Sequence, residues 1–129
     1  MTLKDVLTTL DAKPACTDSC NGCDDRRIVS CHASDLLSDV LTFRGPGSLL
    51  LTGLTNAQVI RTAEMSDFAA ICFVRGKQPQ PETVQLAKEK MIPLYVTALS
   101  MFESCGRLFG AGLPVGHKQE GTGGCQAKK

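Results

Sequence analysis

Three short apolar runs, each followed by a stretch of helical periodicity, constrain this chain more than any other feature. Ser48 to Thr52 (SLLLT), Ala69 to Val74 (AAICFV) and Ile92 to Thr97 (IPLYVT) contain no charged residue. A strand that alternates polar and apolar residues can keep one face in water. A strand that is apolar at nearly every position must be buried on both faces, as in a parallel sheet covered by helices. After the first run, Thr55 to Met65 places Ala57, Ile60 and Ala63 on one helical face, with Thr55 as its cap. After the second, Pro81 suits the first turn of a helix reaching about Met91, and Ser100 to Phe109 supplies a last helix after the third. Consecutive βα units joined by right-handed crossovers predict an α/β fold: a single domain with a mainly parallel sheet flanked by helices on both faces.

The N-terminal third is less regular. Leu3, Val6, Leu7 and Leu10 recur at the spacing of one helical face, and Thr2 with Asp5 three residues later forms an approximate capping box. A loop from Asp11 to Asp25 follows, then a strand candidate at Arg27 to Cys31. Ser34 opens a predicted helix from Asp35 to Phe43, with Leu36, Leu37, Val40 and Leu41 on its buried side. Gly45, Pro46 and Gly47 break the chain before the regular part begins. The expected organisation is a domain over residues 1–113, with a cysteine-rich loop at 12–25. The tail from Pro114 to Lys129, rich in Gly, Lys and Gln, is expected to be disordered.

Charge and apolar content narrow the class. A formal net charge of +1 in 129 residues, without a basic patch interleaved with aromatics, argues against nucleic-acid or membrane-surface partners. No apolar run approaches the roughly 18 residues of a spanning helix, and the N-terminus has no apolar core like that of a signal peptide. The expected location is cytoplasmic, where thiols stay reduced and an odd count of seven cysteines reads as metal or redox chemistry rather than a disulfide framework.

Three of those cysteines stand together. Cys16, Cys20 and Cys23 form C-x3-C-x2-C in the loop, and Cys31 follows at the strand end. Thiolates at this spacing suit a 4Fe–4S cluster, with Cys31 as the fourth ligand. Zinc held by four cysteines, or by three and His32, is the nearest alternative, since both sites take soft thiolate ligands. Reversibly oxidised or incidental thiols are a further alternative. The same spacing occurs in radical-SAM enzymes, but those require a much larger barrel. Cys72 and Cys105, set among apolar residues, read as core, and Cys125 as a free tail thiol.

Two polar sets remain. Ser34, Asp35, Ser38 and Asp39 project a hydroxyl–carboxylate stripe at i, i+4 spacing, next to His32, and form a candidate ligand or partner surface. The plainer reading is that Ser34 caps the helix, Asp35 complements its dipole and His32 is a hydrogen-bonded strand-end residue. Gly45 to Gly47, Thr52–Gly53 and Arg75 to Lys77 could line a phosphate-binding rim at the strand ends. No G-x-x-x-x-G-K-[ST] and no G-x-G-x-x-G after a strand is present, so kinase chemistry lacks its phosphate cradle. No nucleophile–base pair or paired-carboxylate site stands out, and the chain is expected not to be an enzyme.

The segment Asp25 to Val40 (DRRIVSCHASDLLSDV) resembles the signature of DRTGG-domain proteins, in which an Asp-Arg pair starts a strand, a Gly-Gly pair ends it and a Ser-Asp-Leu-Leu-Ser-Asp helix follows. The buried strand at Leu49 to Thr52, Asn56 opening a helix, the strand ending at Gly76, Pro81–Glu82 and Gly106 to Phe109 also fit that family's pattern, over residues 1–113. The chain departs from it where the Gly-Gly pair is Ser30–Cys31, where the position of His32 is aromatic in the family, and where the loop before Asp25 carries the cysteines. The resemblance implies an α/β fold related to the N-terminal domain of HPr kinase/phosphorylase. It also implies a regulatory or assembly role, alone or beside CBS or phosphotransacetylase domains, in some cases with iron-hydrogenase systems of anaerobes.

These readings combine into a non-catalytic regulatory or accessory protein with a cysteine-ligated iron–sulfur site, expected to be a homodimer because a small sheet leaves an edge to cover. A protein partner in a redox complex is a further expectation. A nucleotide or phosphate sensor without metal and a small electron-transfer protein are the alternatives.

Overall fold

The computed structural model describes residues 1–15, 25–43 and 46–115. Among the described residues there are five strands and five helices, in the order α1 (Leu3–Leu10), β1 (Lys13–Pro14), β2 (Ser30–Ala33), α2 (Leu37–Val40), β3 (Ser48–Thr52), α3 (Gln58–Met65), β4 (Ala70–Phe73), α4 (Pro81–Lys90), β5 (Leu94–Val96) and α5 (Met101–Gly110). The sheet runs β1-β5-β4-β3-β2, with β2 to β5 parallel and β1 antiparallel to β5. This is the single-domain α/β fold expected from the βα units.

All five residues of β3 and all four of β4 are buried, which is why these segments read as unbroken apolar runs. Alternate residues divide between two cores. Leu50, Ile71 and Leu94 lie in register with one another and face Val40, Val59, Ile60, Ala63 and Ala87 of α2, α3 and α4. Leu49, Leu51, Cys72 and Tyr95 face the other way, onto Leu3, Val6 and Leu10 of α1 and Leu108 of α5. Because the four parallel strands lie side by side in chain order, every crossover steps in the same direction and the right-handed rule puts its helix on the same face. Among the four parallel strands the order does not reverse, so these described strands form no switch point of the kind that opens a dinucleotide crevice in doubly wound sheets.

Local signals set the helix ends. Thr2 accepts from the Asp5 N–H while Asp5 accepts from the Thr2 N–H, closing the capping box. That bond holds the Asp5 carboxyl below its usual range. Ser100 caps α5 through the Glu103 N–H, and Pro81 opens α4. Asn56 rather than Thr55 supports the start of α3, accepting from the Gln58 N–H. No helix among the described residues is long and apolar enough to cross a membrane.

Four differences from the sequence reading concern the sheet edges and the short helix beside them. Lys13–Pro14, read as loop, pairs with Tyr95–Val96 and covers the outer edge of β5 with a short strand carrying a proline, a common way of blunting an edge. The strand predicted at residues 27–31 is shifted to Ser30–Ala33, because Arg27 bridges Thr2 instead and only from Ser30 does the chain pair with β3. The helix predicted over 35–43 is α2, a single turn at Leu37–Val40. Pro114 and Val115, placed by the sequence reading in the tail, lie along β2: the Cys31 N–H donates to the Pro114 carbonyl, and Val115 bridges Cys31.

Candidate functional site

The cysteine loop lies largely outside the described residues, and Cys16, Cys20 and Cys23 with it; Cys125 is outside as well. The loop departs from Ala15, whose N–H donates to Leu94 at the β5 edge, and re-enters at Asp25. Cys31, the proposed fourth ligand, is the second residue of β2 and points into the core shared with α1 and α5. Dense packing pushes its thiol far above the ordinary cysteine range, and the neighbouring Cys105 and Cys72 add to the shift. Burial pushes Cys72 up to about 12 and Cys105 upward as well. A thiol in this setting stays protonated unless a metal supplies the charge that removes the proton. Among the described residues no group of three or more His, Cys, Asp or Glu side chains is placed to hold a metal ion.

Cys31 and Cys105 line a cavity of about 370 Å³ at the β2 edge, together with His32, Phe43, Phe109 and Val115. Its walls are mostly apolar, and Phe109 and Val115 are largely exposed at its mouth. The sequence offered one signal of it, the apolar residues of α5 that lie off the buried Ser104–Leu108 stripe.

The polar stripe at residues 34–39 is divided by the structure. Helix α2 begins only at Leu37, so residues 34–36 are not helical and the i, i+4 register fails. The Ser34 hydroxyl accepts from the Leu36 N–H within this linker, and Ser38 is exposed. Asp39 turns inward to His32, whose Nε2 lies 3.1 Å from a carboxylate oxygen, while the imidazole packs on Phe43. Asp35 turns the other way. Its carboxylate accepts the Gly53 N–H at 2.6 Å and the Thr52 hydroxyl at 3.3 Å, just past the end of β3.

Arg75 joins Asp35 there. It follows β4 in a left-handed conformation with φ 60°, fixed by its own N–H to the Leu99 carbonyl and by the Gly76 N–H to the Thr97 carbonyl. Its Nη2 lies 3.9 Å from Asp35, and a Cβ at Gly53 would stand 2.5 Å from that same nitrogen. Glycine at 53 thus lets the guanidinium lie against bare backbone. Thr52–Gly53 and Arg75–Gly76 do meet at the strand ends. Pro46 and Gly47 do not: they precede β3 at the opposite end of the sheet, where the Gly47 carbonyl accepts from Val29, and Gly45 is outside the described residues.

No protein-family model matches the chain, and no curated protein matches it by sequence. Among solved structures, it is similar to the crystal structure of the CBS and DRTGG domains of the regulatory region of Clostridium perfringens pyrophosphatase, complexed with the activator diadenosine tetraphosphate. The TM-score is 0.62 at 19% identity. The chain shares its fold with that regulatory region. The match covers 92% of this chain and 51% of the other, so the present chain spans about half the length of the structure it resembles. The DRTGG resemblance carried by residues 25–40 and by the order of the later motifs is thereby matched at the level of fold.

Proposed function

We propose that this chain is a non-catalytic regulatory or accessory module that reports the state of a small ligand, or of its cysteine-rich loop, to a protein partner or a second copy. The observation that carries this reading is the fold shared with a regulatory region over 92% of the chain. The chemistry of the thiols supports it, since Cys31, Cys72 and Cys105 are all pushed towards the protonated form, the opposite of what a nucleophile needs. The partly covered β2 edge and the apolar mouth at Phe109 and Val115 support a homodimer.

In its finer form, Cys16, Cys20 and Cys23 with Cys31 hold a 4Fe–4S cluster, or zinc through the same thiolates or with His32 replacing one. The metal would deprotonate Cys31 and tie the loop to the β2 edge, beside the dimer surface. Anaerobic purification followed by iron, sulfide and zinc analysis and a visible absorption spectrum tests this. The expected result is about four iron and four sulfide per chain, or one zinc. A colourless, metal-free protein whose four-fold Cys→Ser variant folds normally and dimerises normally would sink the metal site.

The second reading, a sensor of an adenine nucleotide or similar phosphate at the strand ends, is favoured by one observation: Gly53 N–H, Thr52 hydroxyl and Arg75 converge there. Thermal-shift measurements with millimolar nucleotides address it, and an unmoved transition would count against it.

A further inference from the structure

We infer that the Asp35 carboxylate is a tethered occupant of an anion seat built from Gly53 N–H, Thr52 Oγ1 and Arg75, and that a phosphate-bearing ligand takes that seat by displacing it. This deepens the sensor reading by naming the seat and its built-in competitor. The donors come from the ends of two directly paired strands, where the Val74 N–H donates to the Thr52 carbonyl, and a carboxylate from a third segment lies among them. Such convergence of a backbone N–H, a hydroxyl and a guanidinium is what phosphate oxygens require.

The present occupant uses the seat incompletely. Asp35 makes a short bond to Gly53, but its nearest approach to Arg75 is 3.9 Å, beyond hydrogen-bond length. A carboxylate held at its position by Gly53 does not reach the planar fork of the guanidinium, whereas a phosphate, with three acceptor oxygens, spans both. Arg75 and Asp35 are each about half exposed, at 45% and 47%, so the seat opens to solvent. The left-handed backbone at Arg75 is a conformation that side-chain-bearing residues rarely adopt, and two backbone hydrogen bonds hold it in place, aiming the side chain over Gly53.

Displacement has a structural route. Asp35 lies in the non-helical linker at residues 34–36, which runs directly into α2. Freeing that linker moves the turn that carries Asp39, and through it His32 and the cavity at the β2 edge. Ligand at the strand ends and surface at the sheet edge are thus joined through one short segment.

The experiment is equilibrium binding of inorganic pyrophosphate and of ATP to the full chain at low ionic strength, for wild type, Asp35→Asn, Asp35→Ala, Arg75→Gln and the double variant Asp35→Ala/Arg75→Gln. Removing the competing charge is expected to tighten binding about tenfold, and loss of Arg75 to reverse that gain. Circular dichroism and the thermal midpoint establish that each variant is folded; Asp35→Asn keeps the side-chain shape if Asp35→Ala does not fold. Folded Asp35 variants that bind no tighter than wild type overturn the inference, as does a gain that survives loss of Arg75. Tighter binding by the variants with none by wild type would uphold the seat and overturn the nucleotide-sensor reading. Nucleotide binding by wild type that ignores both residues would uphold a sensor but overturn this seat.

Discussion

His32 on the edge strand and Asp39 on α2 meet at 3.1 Å, and the His32 ring lies against Phe43 with centroids 3.4 Å apart. This is a polar and packing clasp between β2 and the shortest helix of the fold. An α-helix of four residues cannot hold itself, because nucleation costs more than one turn of hydrogen bonds returns. Its position therefore depends on side chains such as these.

The clasp predicts a coupling. His32→Ala is expected to lower stability by about 2 kcal/mol, combining a lost partly buried hydrogen bond with lost ring packing. In a double-mutant cycle with Asp39→Ala, urea denaturation should give a coupling of about 0.5–2 kcal/mol. Strict additivity would show that the pair is not formed in solution.

Thr97 provides a second test. Its hydroxyl donates at 2.6 Å to the Leu10 carbonyl, one of the carbonyls that the end of α1 leaves without a helical partner. Thr97 is 1% exposed, so water cannot replace it. Thr97→Val keeps the shape and is expected to cost about 1–3 kcal/mol, while Thr97→Ser should recover much of the loss. A loss in Thr97→Ser with Thr97→Val as stable as wild type would mean that the methyl packing, not the bond, matters.

The buried thiols predict a decline of stability in alkali. Folding raises the proton affinity of Cys72 from 9.0 to about 12, and that of Cys31 in the same direction, so the unfolded chain releases these protons first. The contribution is complete below about pH 9 and fades as pH rises from there towards about 12, with a slope of up to about 1.4 kcal/mol per pH unit for each thiol. Denaturation of wild type and Cys72→Ala at pH 8 and about pH 10 checks the sign. The variant should lose less over that interval. A steeper loss in the variant contradicts the assignment.

Ser104 is the opposite of Thr97. It is fully buried on α5, and its hydroxyl has no hydrogen-bond partner among the described residues. A buried hydroxyl without a partner costs free energy, so Ser104→Ala is expected to raise stability by about 1 kcal/mol. A decrease would show that the hydroxyl is bonded in solution.

Much of the fold was legible in the chain because burial on both faces is written locally. SLLLT and AAICFV declare their strands without reference to anything distant, and Thr2, Pro81 and Ser100 mark helix starts by local chemistry. The edges were not legible. Lys13–Pro14 is too short and too polar to show a strand period, and it becomes one only because β5 offers an unpaired side. Residues 34–39 carry a good helical stripe, yet Asp35 leaves it because Gly53 and Thr52 offer its carboxylate donors that a helix would not.

The amino-acid sequence by itself determined the α/β class, the single domain and the sequence of βα units, since these follow from periodicity and caps that span a few residues each. It also presented the cysteine loop as a chemical singularity. Only the tertiary structure decided which residues meet. Strand order and register, which depend on contacts between distant segments, brought Asp35 to Gly53 and Arg75, enclosed Cys31 beside Cys105, and sent Gly47 to the far end of the sheet. A side chain's type can be read along the chain, but its partners are set by the packing of segments that the chain's local pattern does not encode.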